Sequence, residues 1–180
     1  TIGMNVMAND AKFETINEAK ANLDDIYNQP DPRAYFRELE EFQYGIPGAA
    51  KPVFQKLIAQ LQQRRDDTIH ILDLGCSYGV NAALLKHDLS MPELYQHWGR
   101  EQLAATSTEE VVERDRRYFA ALDEPGDIEV FGLDRSENAI EFAEEVGLLD
   151  GGLAINLETD PLPGSAKEEL AAVDLVVSTG

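Results

Sequence analysis

The segment Ile71-Leu72-Asp73-Leu74-Gly75-Cys76-Ser77-Tyr78-Gly79-Val80-Asn81 combines residue types and spacings that suit ligand binding. A short apolar run passes through an acid into a turn of small residues, and a helical pattern follows. In open parallel sheets ligands bind at the carboxyl ends of strands, beside the N-terminus of the next helix. Gly75 and Gly79 lack the Cβ that would keep a ligand off the backbone, and Ser77 is small enough to stand between them. The same residues also suit a plain glycine turn after a strand. A second acid, Asp134, closes the run Val130-Phe131-Gly132-Leu133 and is followed by Arg135 and Ser136. A carboxylate at a strand end can accept hydrogen bonds from both hydroxyls of a ribose. The alternative for Asp134 is an exposed acid favoured by the dipole of the helix that follows.

The elements that must position these residues can be read from hydrophobic periodicity. Phe13, Ile16, Leu23 and Ile26 predict a helix over 9–27, stopped by Asn28-Gln29-Pro30. Asp31 and Pro32 suit the N-cap and first turn of a second helix carrying Tyr35, Leu39 and Phe42. After the break Tyr44-Gly45-Ile46-Pro47-Gly48, a third helix places Val53, Phe54, Leu57, Ile58 and Leu61 on one face. Four short, largely β-branched runs follow, at 69–74, 128–133, 153–157 and 173–178, separated by helical segments. One such helix spans 136–146 and ends at Gly147. Strands alternating with helices predict an α/β fold, a doubly wound and mostly parallel sheet. The organisation expected is an N-terminal helical region, 1–67, and a sheet domain, 68–180. Between the first two strands lies a crossover helix at 80–87, then a helical insertion at about 90–124 with two capping-box patterns, at Ser90 and Ser107. Such an insertion is either a surface decoration or a lid or partner surface.

The segment from Asp73 to Gly79 resembles motif I of class I S-adenosylmethionine (SAM)-dependent methyltransferases, in its Asp-x-Gly-Cys-Ser-x-Gly form. The stretch from Val130 to Ala143 resembles the second motif, an acid followed by a serine-capped helix. The resemblance covers residues 69–180 and implies a Rossmann-like fold, with SAM as methyl donor and S-adenosylhomocysteine as product. By it, Gly75, Cys76, Ser77 and Gly79 would line the methionine and ribose parts of the cofactor, and Asp73 would hold its amino group. Asp134, with Arg135 beside it, would hold the ribose. Asn156 and Leu157, after the third strand, would contact adenine, although the family more often carries aspartate where Asn156 stands, and a turn asparagine is the alternative. Ser178, at the end of the fourth strand, would lie near the sulfonium. Tyr44 would fold over the methionine end, or serve only as a core anchor.

Composition narrows the partners. With 34 acidic against 15 basic residues the net charge is −19, so a phosphate backbone is repelled and nucleic acid is not expected as substrate. Arg114, Arg116 and Arg117 read as a solvated, salt-bridged face beside Glu113 and Asp115. The single cysteine, Cys76, excludes an intrachain disulfide and fits a reducing compartment. The three histidines show no ligand spacing, so no metal site is expected. No apolar run approaches the ~18 residues of a membrane span, and residues 1–9 lack the pattern of a signal peptide. A cytoplasmic enzyme acting on a small molecule, a carrier-bound intermediate or a protein is the expectation, with no general base assignable. The sequence stops after the fourth strand, where members of that family continue, so a truncated chain, a proteolysed product or a natural fragment is expected, with an oligomer or a missing C-terminal half covering that strand's edge. A non-catalytic SAM-binding module is the alternative. An NAD-dependent oxidoreductase is a weaker one, because the Gly-x-Gly-x-x-Gly fingerprint fails at Ser77 and Val80.

Overall fold

The apolar run before Gly75 forms the centre of a parallel sheet in the computed structural model, which describes residues 26–179. Among them are seven α-helices, one 3-10 turn and four strands. In chain order the elements are α1 (Arg33–Glu41), α2 (Ile46–Gln62), β1 (Ile69–Leu74), α3 (Val80–Lys86), α4 (Met91–Trp98), the 3-10 turn (Glu101–Leu103) and α5 (Thr108–Ala120). Then come β2 (Ile128–Asp134), α6 (Glu137–Glu145), β3 (Gly151–Ala154), α7 (Gly164–Leu170) and β4 (Leu175–Ser178). All pairings are parallel and the strand order is β3-β2-β1-β4. That is the order of the first four strands in a doubly wound, Rossmann-like sheet. The order reverses between β1 and β4, so the carboxyl ends of those two strands flank a crevice.

Side-chain alternation makes this sheet a support for the site. The register pairs Ile71 with Val130 and with Leu175, and Asp73 with Gly132 and with Val177, so these residues share one face. Helix α6 packs on β2 and β3, and α2 packs on β1 and α3. Gly132 and Gly152 allow this approach: a Cβ on Gly132 would lie 2.6 Å from Cys76 Sγ, and one on Gly152 would lie 2.8 Å from Ile140 Cγ2.

Several sequence expectations need correction. The third strand is Gly151–Ala154, not 153–157. Glycines are poor strand formers by propensity, but here they let the backbone lie against Phe131 and Ile140. The fourth begins at Leu175 rather than 173, because Val173 N–H still closes the turn after α7 on Leu170 O. Phe42 lies past the end of α1 and is exposed, whereas Phe36 fills the core. On α2 the buried side is Pro47 and Ile58, with Phe54 and Leu61 partly buried, while Val53 and Leu57 face outward. The N-cap of α1 is Pro32 and not Asp31; Asp31 accepts the Arg33 N–H at 3.1 Å, and its carboxylate is committed mainly to the Arg33 guanidinium and the Thr108 hydroxyl. Of the helix expected over 9–27, only Ile26 and Tyr27 fall within the described residues, and both are helical.

The insertion is no surface decoration. Both capping boxes form, at Ser90 with Glu93 and at Ser107 with Glu110. Met91, Leu94, Trp98, Val111 and Phe119 enter the same buried cluster as the strand residues and the N-terminal aromatics Tyr35 and Phe36. Arg116 and Arg117 pair with Glu113 at the surface as expected. Asp115 does not belong to that solvated face: it is fully buried, taking hydrogen bonds from Trp98 Nε1 at 2.7 Å and Arg114 Nε at 2.7 Å, with His97 Nε2 at 2.8 Å.

Candidate functional site

A cavity of about 490 Å³ opens at the carboxyl ends of the strands, within the ~300–1,000 Å³ typical of small-molecule sites. Its floor is the turn after β1. Gly75, Ser77 and Gly79 all have positive φ, at 71°, 48° and 77°. This alternation curls the backbone into a tight arch, and it explains the glycines at the two ends. The arch is closed from within. Gly75 N–H and Cys76 N–H donate to Leu133 O at 2.8 and 3.3 Å, Gly79 N–H donates to Cys76 O at 3.0 Å, and Ser77 N–H donates to Asp134 Oδ2 at 2.8 Å.

Asp134 is thus the keystone between the two motifs. Its other oxygen, Oδ1, accepts the Ser136 N–H at 2.9 Å, and Ser136 caps α6 by accepting the Ala139 N–H. Each carboxylate oxygen has about two acceptor positions, and each takes one of these two bonds.

Of the residues singled out from sequence, the structure brings eight to the cavity wall. Gly75, Cys76 and Ser77 come from the turn after β1, and Asp134 and Arg135 from the end of β2. Asn156 and Leu157 lie just past β3, and Tyr44 precedes α2. Asn156 Oδ1 accepts the Glu158 N–H at 3.1 Å, so this side chain acts as a turn former within the wall. Tyr44 is held at both ends: its hydroxyl donates to Thr179 O at 2.8 Å, and its carbonyl accepts the Tyr95 hydroxyl at 2.6 Å.

Three of the expected residues stand elsewhere. Gly79 faces α6, where an added Cβ would meet Leu148 at 3.1 Å and Ala143 at 3.2 Å; its work is helix packing. Ser178 donates its hydroxyl to Leu74 O at 2.9 Å and lies outside the cavity wall. Asp73 lies one layer beneath the wall, wholly buried. Asn81 Nδ2 donates to its Oδ1 at 2.9 Å, and Oδ2 has no partner among the described residues. Burial pushes this carboxyl up to about 7; the Asn81 hydrogen bond works against that rise and the nearby Asp134 charge adds to it.

Sequence reasoning missed Tyr27, Tyr35, Asn81 and Thr179, all of which line the cavity. Tyr27 belongs to a cover. Tyr78, inside the turn, donates its hydroxyl to Gln29 O at 2.7 Å, while Ser136 Oγ donates to Asn28 Oδ1 and Asn138 Nδ2 to Asn28 O. These bonds stitch the segment before α1 across the mouth of the site. Burial, and the charge of Asp134, raise the Tyr27 hydroxyl above its usual range. The signal for Asn81 was present, a polar residue in the first turn of an otherwise apolar helix; that for Tyr27 was not, since it reads as part of an amphipathic stripe.

Among the described residues no group of three or more histidine, cysteine or carboxylate side chains is placed to hold a metal ion, and no helix is long and apolar enough to cross a membrane. Neither protein-family models nor curated proteins nor solved structures yield a match to this chain.

Proposed function

We propose that the chain belongs to the class I SAM-dependent methyltransferases and binds SAM in this cavity, for methyl transfer to a small-molecule, carrier-bound or protein acceptor. The observation that carries this reading is the state of the arch after β1. A dinucleotide fold leaves the amides of that turn and helix N-terminus free for a pyrophosphate. Here four amides of the turn itself, those of Gly75, Cys76, Ser77 and Gly79, are bonded within the protein, one of them to a carboxylate, which leaves mainly the first turn of α3 to offer donors. Among the described residues the charged side chains of the wall are Asp134, Glu158 and Arg135, an excess of negative charge. That environment favours a nucleoside bearing positive charge, and it disfavours phosphate.

Asp134 would hold the ribose hydroxyls with its remaining acceptor positions, and Ile155 to Leu157 would flank the base. The sulfonium of bound SAM supplies an already activated methyl group, so the tasks of the protein are alignment and exclusion of water. Tyr44 and the segment before α1 serve the second task. The alternative is a module that holds the nucleoside without transfer; saturable binding with no turnover on any acceptor would favour it.

Calorimetric titration of the chain with S-adenosylhomocysteine, with NAD as control, tests the cofactor. Saturable binding of the first alone is expected, and Asp134→Ala should weaken it at least about tenfold, the loss of hydrogen bonds to a charged group. Binding of NAD alone, or a variant as tight as the parent, would overturn the assignment.

A further inference from the structure

The acid of the first motif is out of reach. Asp73 is wholly buried and does not line the cavity, whereas Asn81, from the first turn of α3, stands in the wall beside it. Asn81 Nδ2 donates to Asp73 Oδ1 at 2.9 Å and to Thr179 Oγ1 at 3.1 Å. A primary amide has two N–H donors and one carbonyl acceptor. Both donors are therefore spent on protein, and their placement turns Oδ1 the other way. Oδ1 accepts no hydrogen bond among the described residues, and it is not sealed off from the cavity as Asp73 Oδ2 is.

A fixed carbonyl oxygen in an anionic wall is suited to an N–H donor, and best to a charged one. Building on the proposed cofactor, we propose that Asn81 makes the direct contact with the ligand's ammonium group, while Asp73 is a positioning residue that sets the orientation of the amide from behind. Thr179, which also holds Tyr44 through its carbonyl, fixes the second amide hydrogen. Asp73 then acts through one intervening side chain, and the ligand is read by polarity rather than by an ion pair.

The test compares S-adenosylhomocysteine with 5′-methylthioadenosine, which keeps the nucleoside and the thioether and lacks the amino acid. The chain and its Asn81→Ala and Asn81→Ser variants would be titrated with both. The expected result is a loss of about tenfold or more for S-adenosylhomocysteine, with methylthioadenosine affinity unchanged; the second ligand also reports that the cavity remains folded. Asp73→Asn should give a smaller loss, again confined to S-adenosylhomocysteine. Equal losses on both ligands, or none, would overturn the Asn81 contact, and a larger loss in Asp73→Asn than in Asn81→Ala would return the direct contact to Asp73. A parent chain that binds neither nucleoside overturns the cofactor reading and this inference together. One that binds both nucleosides equally overturns the inference alone.

Discussion

Asp73 sits where water cannot reach it, and the state of its proton should govern how the fold answers to pH. Its carboxyl is raised to about 7, first by burial and then by the charge of Asp134, against the hydrogen bond from Asn81. In the unfolded chain it titrates near ~3.9. Between these two values the folded state holds the proton more often, so stability is lost as pH rises from about 4 towards 7 and stays lost above. Asp73→Asn removes that ionisation. Its melting temperature should exceed that of the parent by a margin that grows from pH 5 to pH 8; a margin independent of pH would show that the carboxyl ionises without penalty. Residues of this kind were half legible. The acid and glycine spacing of 73–79 pointed to the turn, and Asp134 to its partner. That Asp73 would be shielded by Asn81 depends on how α3 leans over β1, which no local spacing records.

The two longer helices of the insertion are joined by one buried carboxylate. Asp115 joins α5 to α4 through Trp98 Nε1 and His97 Nε2, and Arg114 completes its shell. Removing one partner of a buried ionic network leaves the others unpaired and costs about 3–5 kcal/mol. Asp115→Ala should lower unfolding free energy by that amount in urea denaturation, whereas a loss under about 1 kcal/mol, typical of a surface pair, would mean that the insertion is anchored by its apolar residues alone. The elements themselves were largely readable. Both capping boxes, at Ser90 and Ser107, formed as the spacing indicated. Burial was less so: Asp115, among Arg114, Arg116 and Arg117, has the look of a solvated face, and only tertiary packing turns it inward. The third strand failed for the opposite reason, since Gly151 and Gly152 are disfavoured locally and required by the closeness of Phe131 and Ile140.

At the scale of the whole sequence the chain is acidic, and among the described residues the sheet has the parallel order β3-β2-β1-β4. The alternation of strand and helix foretold the sheet, while the sharing of one core by the N-terminal aromatics, the insertion and the strands is a long-range outcome. One detail of that core gives an experimental handle. The chain has a single sulfhydryl, and it is Cys76, buried in the arch at the cavity floor with its thiol raised far above the usual range by burial, with the charges of Asp73 and Asp134 adding to the rise. A thiol so placed reacts only when the arch opens. Alkylation by iodoacetamide is therefore a clock set in the floor of the site, read by mass spectrometry without any substitution. It should run far slower than for an exposed thiol and, on the proposed cofactor reading, slower still as S-adenosylhomocysteine is added, so that each point on the labelling curve measures how often the arch opens in an unmutated molecule and how far the nucleoside holds it shut.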